Sequence, residues 1–126
     1  MKLVLLAAAG GALGAASRYL VGIGAGRLMG HGFPWGTLTV NILGSLAMGV
    51  LIGAWALRYN APQEVRVFLA TGLLGGFTTF SAFSLDFVTL FERKEYGTAL
   101  TYLMGSVGLS LLALFIGLYL SREFLK

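Results

Sequence analysis

The sequence lacks most of the side chains on which enzymes and metal centres depend. It contains no cysteine and a single histidine, His31, which lies in the connector MGHGFP. Without cysteine there is no disulfide, no thiolate nucleophile and no sulfur metal ligand. A lone histidine in such a connector is interpreted as a loop residue. Because no Ser/His/Asp set, metal-ligand cluster or phosphate-binding loop occurs either, we predict that the protein is not an enzyme.

Charge is also scarce. Only 11% of the 126 residues are charged and 57% are hydrophobic, with a mean hydropathy of +0.84, whereas a soluble domain carries about 25% charged residues. The formal net charge of +4 is spread along the chain and forms no basic tract, so it does not indicate a nucleic-acid partner. The composition instead predicts an integral membrane protein in contact with lipid.

Four hydrophobic segments are long enough to cross a bilayer, which takes about 20 helical residues. We place these spans at about 3–25, 35–57, 67–91 and 98–120. The connectors are short, so we predict a single all-α transmembrane domain over 1–126. The first segment loosely fits a cleaved signal peptide. Its apolar character resumes directly after Arg18, however, and we expect it to be retained.

The basic residues give only a weak orientation signal. Four spans place the N-terminus, the second connector and the C-terminus on one side, with five basic residues: Lys2, Arg58, Arg66, Arg122 and Lys126. The other side has three: Arg27, Arg93 and Lys94. Under the positive-inside rule this difference is small. Either the N-terminus is cytoplasmic, or both orientations insert, which would permit an antiparallel dimer.

Glycines recur at four-residue spacing within the spans. The pairs are Gly10/Gly14, Gly22/Gly26, Gly49/Gly53 and Gly72/Gly76. In lipid such small residues let helix backbones approach closely. The pattern predicts tight helix packing, but it leaves open whether the partners belong to one chain or to two. Since four helices enclose little besides their own side chains, a pathway through the membrane favours a second copy.

Few polar side chains occur inside the spans, where they are costly. Asn41 lies deep in the second span and needs hydrogen-bond partners, either on another helix or on a ligand. Tyr102, Ser106 and Ser110 are spaced i, i+4, i+8 on one face of the fourth span, and Thr39 of the second span could join the same path. These hydroxyls either bond back to the i−4 carbonyl or line a path.

The third span contains the segment GGFTTFSAF at 75–83, which is poor material for a helix interior. We predict a break at about 75–79, with Gly75 and Gly76 unwinding the helix. Freed carbonyls inside a membrane are tolerated where they are buried in protein or line a cavity, and they suit a small cation. Phe80 and Phe83 share a face. They either pack, or turn their positive ring edges with the Asn41 amide toward an anion.

Three motifs together resemble one family: GALGAASRY, PWGTLTVNILGS and GLLGGFTTFSAFSLD. With the length and the four spans, the sequence resembles the Fluc (CrcB) fluoride channels over essentially the whole chain. The resemblance implies a fluoride-selective channel that confers fluoride resistance by passive export of cytoplasmic fluoride. It also implies an antiparallel, dual-topology homodimer in the cell inner membrane, with two pores and a central structural sodium ion.

The resemblance also implies roles for individual residues. Sodium would be held by the backbone carbonyls of Gly75 and Thr78 from both subunits. Arg18 matches the family arginine of the first helix, in an aqueous vestibule. Leu114 continues the face of the fourth span without a hydroxyl, so the polar track is expected to end early. The fluoride pore would comprise Asn41, Phe80, Phe83, Ser81, Thr39, Tyr102, Ser106 and Ser110.

Two other functions fit four small spans. A dual-topology, proton-coupled multidrug exporter needs a membrane carboxylate. Asp86 is the one candidate, since the first span has no acidic residue. The other function is that of a non-transporting assembly subunit whose glycines only pack helices. The fluoride channel remains the leading hypothesis.

Overall fold

The computed structural model describes residues 1–57 and 60–125. Arg58 and Lys126, which were counted for topology, therefore lie outside the described residues. The described chain is helical, and a π-helical segment, Val67–Leu74, lies between the third and fourth of its α-helices. The α-helices are α1 (Lys2–Met29), α2 (Trp35–Leu57), α3 (Gln63–Arg66), α4 (Gly75–Phe77), α5 (Phe80–Glu92) and α6 (Tyr96–Phe124).

Four helical runs are long and apolar enough to cross a membrane: α1, α2, the run Gln63–Glu92 and α6. These are the first to fourth spans, and they confirm the prediction of an all-α protein with four membrane-spanning helices. The second span has the predicted bounds, whereas the first and fourth are longer. A helix of 28 residues is about 42 Å long. Since the hydrocarbon core is about 30 Å thick, the long helices tilt or extend into the headgroup region.

The second and fourth spans pack through glycines. A Cβ built at Gly117 would lie 2.9 Å from the Gly49 Cα atom and 2.8 Å from the Val50 nitrogen. One turn further on, the Ser121 hydroxyl donates a hydrogen bond to the Val50 carbonyl at 2.7 Å. These glycine contacts lie within one chain. For this helix pair, the packing partners that the sequence left open therefore belong to the same chain.

The first and third spans approach equally closely. A Cβ built at Gly72 would lie 3.0 Å from the Gly10 Cα atom, and one at Gly76 would lie 3.0 Å from the Gly11 Cα atom. Gly76 is thus held in helical conformation against the backbone of α1. The prediction that Gly75 and Gly76 unwind the helix is wrong, because Gly75–Phe77 forms the last helical turn before the break.

The third span is broken at two threonines instead. Thr78 (φ −88°, ψ 159°) and Thr79 (φ −154°, ψ 122°) are both extended. The break therefore lies at the C-terminal end of the predicted range, on β-branched residues that favour extended backbone. The π-helical segment just before it was not predicted. Such wide turns are rare and occur frequently at functional sites.

One buried cluster packs the connector end of the bundle, where the third span meets the second and fourth. It comprises Leu38, Phe83, Leu90, Ala99 and Tyr102, and the Tyr102 side chain has no exposed surface. Much of the outward surface of the helices is apolar, as a lipid-facing surface requires.

We expect Gly117→Ala to lower the stability of the folded protein. Alanine is the better helix former by roughly 0.5–1 kcal/mol, but its methyl group would collide with the backbone of α2, and overpacking typically costs about 1–3 kcal/mol. Gly105→Ala in the same helix is the matched control, since nothing lies within 4 Å of a Cβ there. Thermal unfolding in detergent, followed by circular dichroism, measures both. Equal midpoints for the two variants would contradict the packing role of Gly117.

Candidate functional site

Asn41 of α2 binds both backbone groups of Thr79 at the break. Its Nδ2 atom donates to the Thr79 carbonyl at 3.1 Å, and the Thr79 N–H donates to its Oδ1 atom at 2.8 Å. A carboxamide can do this because it carries a donor and an acceptor side by side. Asn41 therefore makes the interhelical hydrogen bonds that were one of its two interpretations, and the second hydrogen on Nδ2 remains for a ligand.

Three further side chains hold the two helix ends at the break. The Thr79 Oγ1 atom accepts from the Ala82 N–H at 3.1 Å, so Thr79 is the N-cap of α5. The N–H and the hydroxyl of Thr78 both donate to the Leu74 carbonyl at 3.0 Å. From α1, the Arg18 Nε atom donates to the Gly76 carbonyl at 3.0 Å.

These contacts leave the carbonyls of Gly75 and Thr78 without their usual helical donors. The Thr79 N–H, which would bond to Gly75 in a continuous helix, donates to Asn41. Likewise the Ala82 N–H, which would bond to Thr78, donates to the Thr79 side chain. Carbonyl oxygens are hard ligands that suit small cations, and the carbonyl end of a helix carries partial negative charge. The residues present therefore fit a bound cation.

A cavity of about 360 Å³ opens beside the break. It brings together five of the eight predicted pore residues: Asn41, Phe80, Phe83, Ser106 and Ser110. None of the described residues that line it carries a charge. Beyond Ser110 on α6, the lining residues Leu111 and Leu114 are apolar. The other lining residues are Gly44, Ser45, Met48, Leu74, Thr78, Thr79, Val107, Leu111 and Leu114.

The two phenylalanines of the cavity differ in exposure. Their ring centroids are 5.5 Å apart with the planes tilted by 55°. Phe83 is 7% exposed and packs on Tyr102 at 5.2 Å, whereas Phe80 is 77% exposed. Phe83 is thus a core residue as well as a wall residue. Phe80 projects at the open side of the cavity.

Two serines in the wall lack hydrogen bonds. The Oγ atoms of Ser106 and Ser110 are buried and have no partner among the described residues. Other hydroxyls in a helix or at its end do bond back to the i−4 carbonyl, at 2.8–3.0 Å, namely those of Ser17, Thr78, Ser84 and Thr101. A buried polar group without a partner costs about 1–3 kcal/mol. The two serine hydroxyls are therefore available to a ligand in the cavity.

Tyr102 lies between this cavity and a second one. Its hydroxyl donates to the Asp86 Oδ2 atom at 3.0 Å, and its ring meets Phe33 edge-on at 5.4 Å. Asp86 lines the second cavity, which has a volume of about 310 Å³ and lies beside the first and third connectors. Tyr102 and Ser106 are both buried on one side of α6. They differ in their partners, because the Tyr102 hydroxyl is bonded to the Asp86 carboxylate, whereas the Ser106 hydroxyl has no partner among the described residues.

The remaining predicted residues line neither of these two cavities. The Ser81 hydroxyl is exposed and lies 3.2 Å from that of Thr79. Thr39 is half-buried in α2. Arg18 is half-buried at the break, on the Gly76 carbonyl.

Two functional residues were missed from the sequence. Thr79 had a usable signal, because a threonine before a helix start is a preferred N-cap. Asp86 was considered only as the candidate carboxylate of an exporter. No sequence pattern links it to Tyr102, 16 positions further along the chain.

Comparison with known proteins decides the family. The model of the family described as CrcB-like protein, Camphor Resistance (CrcB), matches residues 5–118. The chain belongs to the CrcB family. Among curated CrcB relatives, it is 52% identical over 122 residues to the "Fluoride-specific ion channel FluC" of Chelativorans sp. strain BNC1, covering 97% of this chain and 98% of that one.

Further curated relatives agree with this assignment. The chain is 55% identical over 119 residues to "Fluoride-specific ion channel FluC 1" of Nitrobacter hamburgensis, with 94% of each chain covered. It is 54% identical over 120 residues to "Fluoride-specific ion channel FluC" of Agrobacterium fabrum, with 95% of this chain and 96% of that one covered. The family resemblance seen in the three sequence motifs is thereby confirmed.

We expect Asn41→Ala and Ser106→Ala to affect stability differently. Asn41→Ala leaves both Thr79 backbone groups unpaired and should cost about 1–3 kcal/mol. Ser106→Ala removes a buried hydroxyl without a partner, so the unfolding midpoint should stay unchanged or rise. Thermal unfolding of the two variants in one detergent makes the comparison. A Ser106→Ala variant as unstable as Asn41→Ala would show that the hydroxyl is bonded within the protein.

Proposed function

We propose that this CrcB protein is a fluoride-selective ion channel through which cytoplasmic fluoride leaves passively down its electrochemical gradient. The curated relatives named fluoride-specific ion channels support the proposal over nearly the full chain. The structural observation that carries it is the uncharged cavity at the break, in which an amide, two aromatic rings and two unpartnered hydroxyls meet.

The chemistry of this cavity suits a small, strongly hydrated anion. Ser106 and Ser110 supply O–H donors, Asn41 supplies an N–H donor, and the positive ring edges of Phe80 and Phe83 supply weaker attraction. Together these groups replace part of a hydration shell. Because none of the described lining residues carries a fixed positive charge, the anion is not trapped, which conduction requires.

The proposed physiological role follows from the acidity of hydrogen fluoride. In a cell more alkaline than its surroundings, HF that enters dissociates, and fluoride accumulates inside. A selective channel then lets fluoride leave without coupling to another ion, and so confers fluoride resistance.

We further propose that the chain acts as an antiparallel, dual-topology homodimer in the cell inner membrane, with two pores. Gly75, Phe80 and Ser81 are exposed in the single chain, and a second copy would cover them. The Gly75 and Thr78 carbonyls of both subunits would hold a central sodium ion, whose positive charge offsets the partial negative charge of the carbonyl ends. In each subunit 1–126 would form one four-helix transmembrane domain.

The multidrug exporter has less support from the site. Its essential carboxylate would be Asp86, which accepts a hydrogen bond from Tyr102 and faces the connector-end cavity. The cavity at the break, in contrast, is lined by no ionisable carboxylate among the described residues. A non-transporting assembly subunit would not conduct, so the flux assay below tests that alternative directly.

In liposomes that contain the purified protein, we expect rapid efflux of fluoride and little of chloride, measured with ion-selective electrodes. Phe80→Leu should abolish the fluoride flux while leaving the fold of each chain intact, because Phe80 is 77% exposed and contributes little to the core of one chain. Phe115→Leu is the matched control, since Phe115 is 68% exposed on α6 and lines neither cavity. Fluoride flux through both Phe80→Leu and Phe83→Leu would exclude the aromatic-edge mechanism, and no flux through the unaltered protein would favour the assembly subunit.

The sodium site has a separate test. Replacing sodium by N-methylglucamine in detergent should lower the unfolding temperature and the dimer fraction, because the freed carbonyls would lose their cation. Size-exclusion chromatography with light scattering measures the dimer, and readdition of sodium should restore it. If sodium removal changes neither quantity, the cation site is not part of the assembly.

A further inference from the structure

The cavity at the connector end, of about 310 Å³, differs chemically from the one at the break. Its wall includes Asp86, Arg93, His31 and the hydroxyl residues Thr37 and Thr89. None of the eight pore residues implied by the family resemblance lines it. The cavity is large enough for about ten waters at 30 Å³ each, so an ion can remain hydrated inside it.

Arg93 lies at the C-terminal end of α5 and lines this cavity. Its backbone N–H donates to the Thr89 carbonyl at 3.1 Å and caps α5. The next residue, Lys94, has a φ of 64° and turns the chain away. The Arg93 side chain is exposed and has no ion-pair partner within 4 Å among the described residues, so no carboxylate within that distance neutralises its charge.

Asp86 is the opposing charge, and it lies deeper. Asp86, Thr89 and Arg93 occupy positions i, i+3 and i+7 on one face of α5, which places the two charged residues about 10 Å apart along the helix. An anion that lies beside Arg93 is therefore nearer to this cation than to Asp86. Because the Coulomb energy falls with distance, the attraction by Arg93 exceeds the repulsion by Asp86 there, at low as well as at moderate ionic strength.

The position of Asp86 gives the positive charge of Arg93 a role in attracting an anion to this cavity. Its carboxylate is bonded to Tyr102, whose ring packs on Phe83 of the other cavity. An anion that moved between the two cavities beside Tyr102 would come close to this carboxylate and be repelled by it. A cation at the entrance offsets this repulsion by raising the local anion concentration.

We propose that the connector-end cavity is an antechamber that captures hydrated fluoride, and that Arg93 supplies the attraction. This inference rests on the proposed channel function. The hydroxyls of Thr37 and Thr89 offer further donors to the hydrated ion. His31 forms another part of the wall, where its ring lies against Gly26, since a Cβ there would be 2.6 Å from the His31 Cε1 atom.

Arg93→Gln tests the proposal in planar bilayers, with Lys94→Gln as the matched control. Lys94 is the adjacent exposed cation and lines neither of the two cavities. At low fluoride and low ionic strength, we expect Arg93→Gln to lower fluoride conductance about threefold to tenfold. Arg93→Lys should restore most of the conductance because attraction at the mouth depends on charge. With about 1 M inert salt, where the Debye length falls to about 3 Å, the conductance of Arg93→Gln should equal that of the unaltered channel.

Two outcomes would overturn the proposal. One is an Arg93→Gln conductance equal to that of the unaltered channel at low fluoride. The other is an equal loss in Lys94→Gln, which would indicate general surface charge. Both leave the channel function intact. If the unaltered protein conducts no fluoride at all, the proposed function fails, and this inference fails with it.

Discussion

The hydrogen bonds between Asn41 and Thr79 are the interaction on which the rest of the site depends. A broken helix inside a membrane exposes backbone groups that lipid cannot satisfy. Asn41 pairs with both groups of one residue, and the threonine side chains pair with the groups next to it. With those groups satisfied, the chain can remain extended over two residues in the middle of a span.

The break then brings two opposite helix ends together. The carbonyl end of the first half of the third span carries partial negative charge, and the amide end of α5 carries partial positive charge. A site for a cation and a site for an anion can therefore lie a few residues apart, on backbone and uncharged side chains. The glycine contacts with α1 keep the first half helical up to the break, so that its carbonyls end at a defined place.

Much of this arrangement was predictable because it depends on local properties of the chain. Hydropathy over about 20 residues is sufficient to locate four spans, and weak helix propensity at 75–83 indicated a broken third helix. The position of the break was predicted only to within a few residues. Gly75 and Gly76 have the lower helix propensity, but close contact with α1 keeps Gly76 helical, and the extended residues are Thr78 and Thr79. Tertiary contact overrode propensity there.

By itself, the sequence determined the membrane location, the helical class, the four spans and the family. Composition, hydropathy and motifs depend only on which residues follow one another in the chain, so they need no knowledge of tertiary contacts. Only the tertiary structure decided which side chains do what at the site. In the fold, Asn41 bonds to the backbone of Thr79, 38 positions further along the chain, and Tyr102 bonds to the Asp86 carboxylate. Two buried serine hydroxyls have no hydrogen-bond partner among the described residues. These outcomes depend on distances between separate helices, which no spacing within one helix specifies.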